Sequence, residues 1–359
     1  MSMVRFGLIG LGGMANHHLY LLSKLQGVNI TALCDVNLDV LNSIADKYGV
    51  SEEQRYTDYD SLIQDPEVDA VISIVPNKFH GKIIQLCIQY GKPLMTEKPF
   101  TVNFEEAHML KELFEKKPIP CMVGFSYRYI PAFRFVKQLL DEGRFGTIRH
   151  ISVNYLQQWG AEIYDVPFSW RFSKEMSGSG ALGDLGSHMI DSARYFIGEF
   201  KAVSGMMTTF VKERQVGDVG MREVDVDDFT SFQATFQNGA MGTFVTSRNA
   251  IGSGNQLEII IYGNKGTVKL CCEQPDEVEI CLKSKENMEA TFEKVKVPEN
   301  FYLNQLQDFI DFVAGKSVKD VPGFVDGYEN QRVMESIMTS AKTGQTVEVH
   351  GANERIINC

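Results

Sequence analysis

The chain has 359 residues, with 35 Lys and Arg against 46 Asp and Glu, for a formal charge of −11. That balance excludes an electrostatic grip on nucleic acid or on an anionic bilayer and suits a small neutral substrate. Hydrophobic residues at 44% and charged residues at 23% exclude a disordered or stapled miniature chain and predict two domains of ordinary size.

The opening MSMVRFGLIG reads as a buried strand rather than a secretory leader, because no small-residue cleavage site follows its short apolar run. Strands are predicted over Val4–Gly10, Ile30–Asp35, Ala70–Val75, Pro93–Glu97 and Pro120–Phe125, with helices such as Lys78–Tyr90 and Asn103–Lys116 between them. Apolar strands alternating with helices mean a parallel sheet covered on both faces, so residues 1–125 read as a doubly wound, Rossmann-type α/β domain. From Thr147 the pattern becomes strand-like, over Ile148–Gln158, Ala202–Val211, Thr230–Phe236, Met241–Val245, Leu257–Tyr262, Thr267–Cys271 and Val278–Cys281. Turn signals at Gln237-Asn238-Gly239 and Gly263-Asn264-Lys265-Gly266 make consecutive strands antiparallel. Residues 126–359 therefore read as an α+β domain, with helices over Asn304–Val313 and Gly327–Ala341 able to pack back on the first domain. The seven cysteines lack C-x-x-C spacing and read as reduced thiols of a cytoplasmic protein, with no metal site; no apolar run is long enough to span a membrane.

The chemistry-bearing motifs begin with Gly10-Leu11-Gly12-Gly13-Met14-Ala15, which follows the first strand and opens a helix through Leu19, Leu22 and Leu25. Gly10 permits the tight turn, Gly12 bares the backbone to a pyrophosphate, and Ala15 lets helix and strand pack closely. A glycine turn that merely packs would look the same, but Asp35 ends the second strand about 20 residues further on, where an acid meets ribose hydroxyls. With no Arg in Val36-Asn37-Leu38, the cofactor is expected to be NAD rather than NADP. Thr96-Glu97-Lys98-Pro99 and Val75-Pro76-Asn77-Lys78-Phe79-His80 also follow strand ends, where ligands of open α/β sheets lie; His80 reads more simply as a satisfied histidine. In Gly180-Ala181-Leu182-Gly183-Asp184-Leu185-Gly186-Ser187-His188-Met189-Ile190-Asp191, helical spacing puts Asp184, His188 and Asp191 on one stripe, with Asp184 placed to polarise the His188 imidazole. An N-capping Asp beside a surface His is the alternative.

Taken together with His18 and with Trp170-Arg171, the Gly10–Ala15 loop, Glu97-Lys98-Pro99 and the Gly180–Asp191 stretch resemble the Gfo/Idh/MocA oxidoreductases over nearly the whole chain. The resemblance implies NAD(P)-dependent oxidation of sugars, cyclitols or related polyols, and a second domain built on an open-faced antiparallel sheet. It implies Lys98, Asp184 and His188 as the catalytic group, and Gly10, Gly12, Gly13, Met14, Ala15, Asp35, Pro76, Asn77, His80, Glu97 and Lys98 at the cofactor. Tyr127, Arg128, Trp170 and Arg171 are expected to join Lys98, Asp184 and His188 at the substrate. Inositol-oxidising members often carry paired arginines and an acid after the strand ending at Phe125; Ser126-Tyr127-Arg128-Tyr129 here weighs against a cyclitol. Two other functions fit a nicotinamide site: a glycosidase working by transient sugar oxidation, and a non-catalytic NAD-binding regulator. An open sheet is expected to expose a large apolar face, and hence to assemble into a homodimer or homotetramer.

Overall fold

The computed structural model describes residues 3–350; Met1, Ser2 and residues 351–359, Cys359 among them, lie outside the described residues. The chain divides into two compact units, Met1–Phe125 with Asn304–Glu329, and Ser126–Leu303 with Asn330–Cys359. No helix among the described residues is long and apolar enough to cross a membrane.

The first unit contains β1 (Val4–Ile9), α1 (Gly13–Leu22), β2 (Val28–Cys34), α2 (Leu38–Tyr48), β3 (Arg55–Tyr56), α3 (Tyr59–Gln64), β4 (Ala70–Ser73), α4 (His80–Tyr90), β5 (Leu94–Thr96), α5 (Phe104–Lys116) and β6 (Cys121–Val123). The strands form one sheet in the order β3-β2-β1-β4-β5-β6, every pair parallel. This is the expected doubly wound fold; β3, at two residues, is too short to leave a periodic signal. Helix starts follow local chemistry: the Asn37, Asp58 and Asn103 side chains accept first-turn amides of α2, α3 and α5. The strand order reverses between β1 and β4, so the loops leaving these two strands flank the crevice in which such sheets bind ligands.

The second unit adds α6 (Pro131–Asp141), β7 (Ile148–Gln157), α7 (Lys174–Ser177), α8 (Ser187–Ile197), β8 (Phe200–Thr208), β9 (Glu213–Val216), β10 (Gly220–Glu223), β11 (Phe229–Phe236), β12 (Met241–Ser247), β13 (Asn255–Gly263), β14 (Gly266–Cys271), β15 (Glu277–Leu282) and β16 (Glu293–Lys296). Then come α9 (Gln305–Val313), which belongs to the first unit, α10 (Phe324–Thr343), within which the unit boundary falls, and β17 (Val347–Glu348). Nine strands form a sheet in the order β16-β15-β14-β13-β7-β12-β11-β8-β17. Both turn signals join antiparallel neighbours, β11 to β12 and β13 to β14, but β7 and β12 pair in parallel, so the sheet is mixed. Ile151, Val153, Phe232, Phe244, Ile259 and Ile261 point to one face and pack with Phe133, Met189, Ile190 and Ile337 of the helices.

The other face of this sheet lies opposite the helices. Strict alternation places Ser152, Asn154, Ser231, Gln233, Thr243 and Glu258 there together with Leu156, Phe229, Val245 and Ile260, so this face mixes polar and apolar side chains. Exposed apolar side chains on it are scattered, such as Met206 and Met241.

Candidate active site

Gly10 leaves β1 with φ +85°, and a Cβ there would lie 2.4 Å from the Ile74 carbonyl oxygen, so the turn requires glycine. A Cβ on Gly12 or Gly13 would meet nothing within 4 Å, which leaves their backbone open to a ligand. Ala15 is fully buried, Met14 is exposed, and α1 starts with no side-chain cap and no acid in its first turn. Its free amides and dipole therefore face open space that suits a diphosphate. At the end of β2 the Asp35 carboxylate accepts Leu11 N and Asn37 N, each at 2.8 Å, and so braces the glycine loop. The loop and its acid fit a dinucleotide.

The loops leaving β4 and β5 are tied together by His80. Its ring is wholly buried, with Nδ1 at 2.7 Å from Pro99 O and Nε2 at 3.0 Å from Val75 O. Burial holds its pKa below the ordinary histidine range against the pull of these two carbonyls. Expected among the cofactor ligands, His80 instead braces the loop that carries Lys98. Pro76 is half-buried and Asn77 buried beside it. The Glu97 carboxylate lies 3.3 Å from His18 Nε2 and packs on the bare backbone of Gly124, where a Cβ would come within 2.8 Å of it. Burial opposes the charge on Glu97, but the His18 hydrogen bond and the nearby Lys98 outweigh it and hold the carboxyl below its usual range. Lys98 is half-buried.

In the second unit the glycine-rich approach is locked by an aspartate that the sequence motifs do not include. Asp227, fully buried at its carboxylate, accepts Gly180 N at 2.7 Å, Leu182 N at 2.8 Å and the Thr230 hydroxyl at 2.8 Å. A Cβ on Gly180 would fall 1.9 Å from Asp227 O, so only glycine passes. The segment Leu182–Gly186 then forms a π turn before α8 starts at Ser187. The expected single helical stripe is thus broken between Asp184 and His188; such turns are frequent at functional sites.

Asp184 Oδ2 accepts Arg248 Nη2 at 3.1 Å. His188 is 6% exposed and stacks on the Tyr127 ring, with centroids 4.4 Å apart and planes at 24°. The Tyr127 and Tyr155 hydroxyls hydrogen-bond each other, and Tyr155 donates to Asn255 Oδ1 at 2.7 Å. Gln157 Nε2 donates to the same oxygen at 2.5 Å, and Trp159 Nε1 donates to Gln157 Oε1 at 2.7 Å. Burial pushes both tyrosine hydroxyls above their ordinary pKa, so they remain neutral donors and acceptors. His188 therefore ends a row of hydroxyl and amide groups.

Arg128 and Arg171, both expected at the substrate, have different surroundings. Arg128 and Asp191 form a buried two-bonded ion pair, 2.9 and 2.6 Å, and the guanidinium sits over the Tyr195 ring. A guanidinium held this way by a buried carboxylate acts within the fold, which differs from the substrate-facing place expected of Arg128. Arg171 is exposed over the Trp170 ring, and its carbonyl accepts Arg248 Nη1 at 3.3 Å. Tyr155 and Gln157 had a signal in the sequence: they are polar residues taking the inward positions that Ile151 and Val153 begin. Arg248, just past β12, had none.

Two family models match the chain: an oxidoreductase family, NAD-binding Rossmann fold, over residues 4–125, and a GFO/IDH/MocA C-terminal domain over residues 133–269. A levoglucosan dehydrogenase of Pseudarthrobacter phenanthrenivorans is 31% identical over 350 residues, covering 88% of each chain. A glucose-6-phosphate 3-dehydrogenase of Bacillus subtilis is 26% identical over 365 residues, covering 98% of this chain and all of that one. The solved levoglucosan dehydrogenase in complex with NADH and L-sorbose superposes with a TM-score of 0.89 at 31% identity, over 98% of this chain and 100% of the other. With both halves matched, and with a relative 31% identical over most of its length, the chain belongs to the Gfo/Idh/MocA family of oxidoreductases, its first unit an NAD-binding Rossmann domain.

Proposed function

We propose that the protein is an NAD-dependent dehydrogenase that oxidises a secondary alcohol of a sugar or related polyol and runs the reaction in reverse. The observation that carries this reading is His188 at the end of a row of hydroxyl and amide groups, Tyr127, Tyr155, Asn255 and Gln157, with Asp184 one turn before it. Such groups exchange hydrogen bonds with a polyhydroxylated ligand, while the imidazole accepts a hydroxyl proton. Bound NAD supplies the hydride acceptor for the alcohol carbon. Gly10, Gly12, Gly13 and the start of α1 hold its diphosphate, and Asp35 its ribose. His188 takes the hydroxyl proton, Lys98 hydrogen-bonds the same oxygen and stabilises the negative charge that develops there, and Asp184 fixes the imidazole or a neighbouring hydroxyl. The first unit binds the cofactor and the second the substrate. Self-association through the open sheet, whose free face mixes polar and apolar side chains, belongs to this reading.

A panel of levoglucosan, L-sorbose, glucose 6-phosphate, myo-inositol and aryl glycosides, followed for NADH and for aglycone release, tests it. NADH formation with at least one sugar or polyol is the expected result. Aglycone release without net NADH would overturn it in favour of the glycosidase, and binding of NAD without either product in favour of a regulator.

The cofactor choice has its own test. A carboxylate at Asp35 repels a 2′-phosphate, so calorimetry should find NAD bound at least tenfold more tightly than NADP, about 1.4 kcal/mol. Asp35→Ala should narrow that ratio, and because Asp35 also holds the Leu11 amide it should weaken NAD itself. Equal affinities in the wild type would remove Asp35 from the ribose site.

A further inference from the structure

We infer that Arg248 is a positioning residue of the reaction, holding the Asp184 carboxylate in its working orientation beside His188. The inference rests on the proposed roles of Asp184 and His188.

The Arg248 side chain is 2% exposed while that of Asp184 is 25% exposed, so a buried cation reaches out to a carboxylate that meets solvent. Removing a guanidinium from water costs several kcal/mol, and a buried ion pair is weak evidence of stabilisation, because apolar residues of the same volume often serve stability as well or better. The compensation here is incomplete, although the buried Asp227 carboxylate also feels the Arg248 charge. One terminal nitrogen meets Asp184 at 3.1 Å, the other meets Arg171 O at 3.3 Å, Trp159 lies 5.1 Å from the guanidinium carbon, and Nε finds no hydrogen-bond partner among the described residues. Local rules broken in this way concentrate at functional sites.

The backbone keeps the side chain aimed. Arg248 N donates to Asp228 O at 3.0 Å, and Arg248 O accepts Gly160 N at 2.9 Å. A Cβ at Gly160 would stand 2.9 Å from Arg248 Cβ, so glycine is what lets the two segments meet. Asp184 is therefore fixed from two directions. Asp227 pins the backbone entering the π turn through the Gly180 and Leu182 amides, and Arg248 pins the carboxylate. A guanidinium is charged at every working pH, so this hold is permanent, whereas a lysine ammonium could not span Asp184 and the Arg171 carbonyl with one planar group.

The test uses Arg248→Lys and Arg248→Gln in the full chain, with a substrate from the sugar panel. Arg248→Lys should lower kcat about tenfold and Arg248→Gln about 100-fold, with NAD affinity within twofold of wild type; a purely structural role would lower Tm and leave kcat per folded molecule alone. Asp184→Asn added to Arg248→Gln should cost little more than the larger single loss, since the pair acts as a unit. A kcat within twofold of wild type for Arg248→Lys overturns the inference, as do losses that multiply in the double variant. Should Arg248→Gln fail to fold, Arg248→Lys decides alone. Wild-type turnover in Asp184→Asn by itself would instead remove Asp184 from the proposed site and with it any catalytic purpose for Arg248.

Discussion

Replacing His188 by alanine is expected to lower kcat/KM on the sugar substrate by 10²–10⁴-fold, about 3–5 kcal/mol of transition-state stabilisation, with NAD still bound. The expectation follows from its place: a 6% exposed imidazole stacked on Tyr127 is held in position for the proton transfer proposed for it. Asp184→Asn should cost less, and the two losses should not multiply. In the wild type the rate of alcohol oxidation should rise with pH as an imidazole gives up its proton, and the His188 variant should lack that rise. Full activity with an unchanged pH profile would take His188 out of the mechanism and leave Lys98 as the proton acceptor.

Lys98→Met should lower kcat/KM by roughly 10²-fold or more through loss of a charge-assisted hydrogen bond to the reacting oxygen. NAD affinity should persist, because the diphosphate loop and Asp35 are formed by other segments, Gly10–Ala15 and the end of β2. The loop itself should keep its shape, since His80 grips it through Pro99 O, and methionine matches the length of the lysine stem. Wild-type turnover in this variant would reduce Lys98 to an ordinary loop residue.

The parts of the molecule legible in its sequence are those in which one short stretch contains the whole physical reason. The glycine loop is such a case, because the turn, the bare amides and the close packing all arise within Gly10–Ala15. Asp35 is another, since the end of a strand is marked where its apolar run stops. The alternation along β7, β11 and β12 encodes a sheet with two unlike faces, although strand pairing across a long connection, as in the parallel β7 and β12, leaves no local trace. The site was harder to read wherever it depends on distant partners. His80 looks the same in sequence whether it meets a cofactor or two carbonyls, and Arg128 whether it meets a sugar or Asp191. Arg248 and Asp227 act across 64 and 45 or more positions respectively, so no spacing announces them. The π turn at Leu182–Gly186 escaped because periodicity assumes an unbroken helix.

The segment Asn304–Glu329 has a consequence for how the chain is made. Leu306, Phe309 and Ile310 cover one side of the six-stranded sheet, against Phe6 and its neighbours, while Phe324 and Tyr328 join the cluster on the other side with Phe100 and Phe125. On the ribosome all of Ser126–Leu303 emerges before this cover exists. Domains usually complete themselves in the order of synthesis. Here the order is inverted: the cofactor-binding unit is begun before the second unit, yet one part of the cover on each face, beside the helices α1 to α5, waits until Ser126–Leu303 has been made.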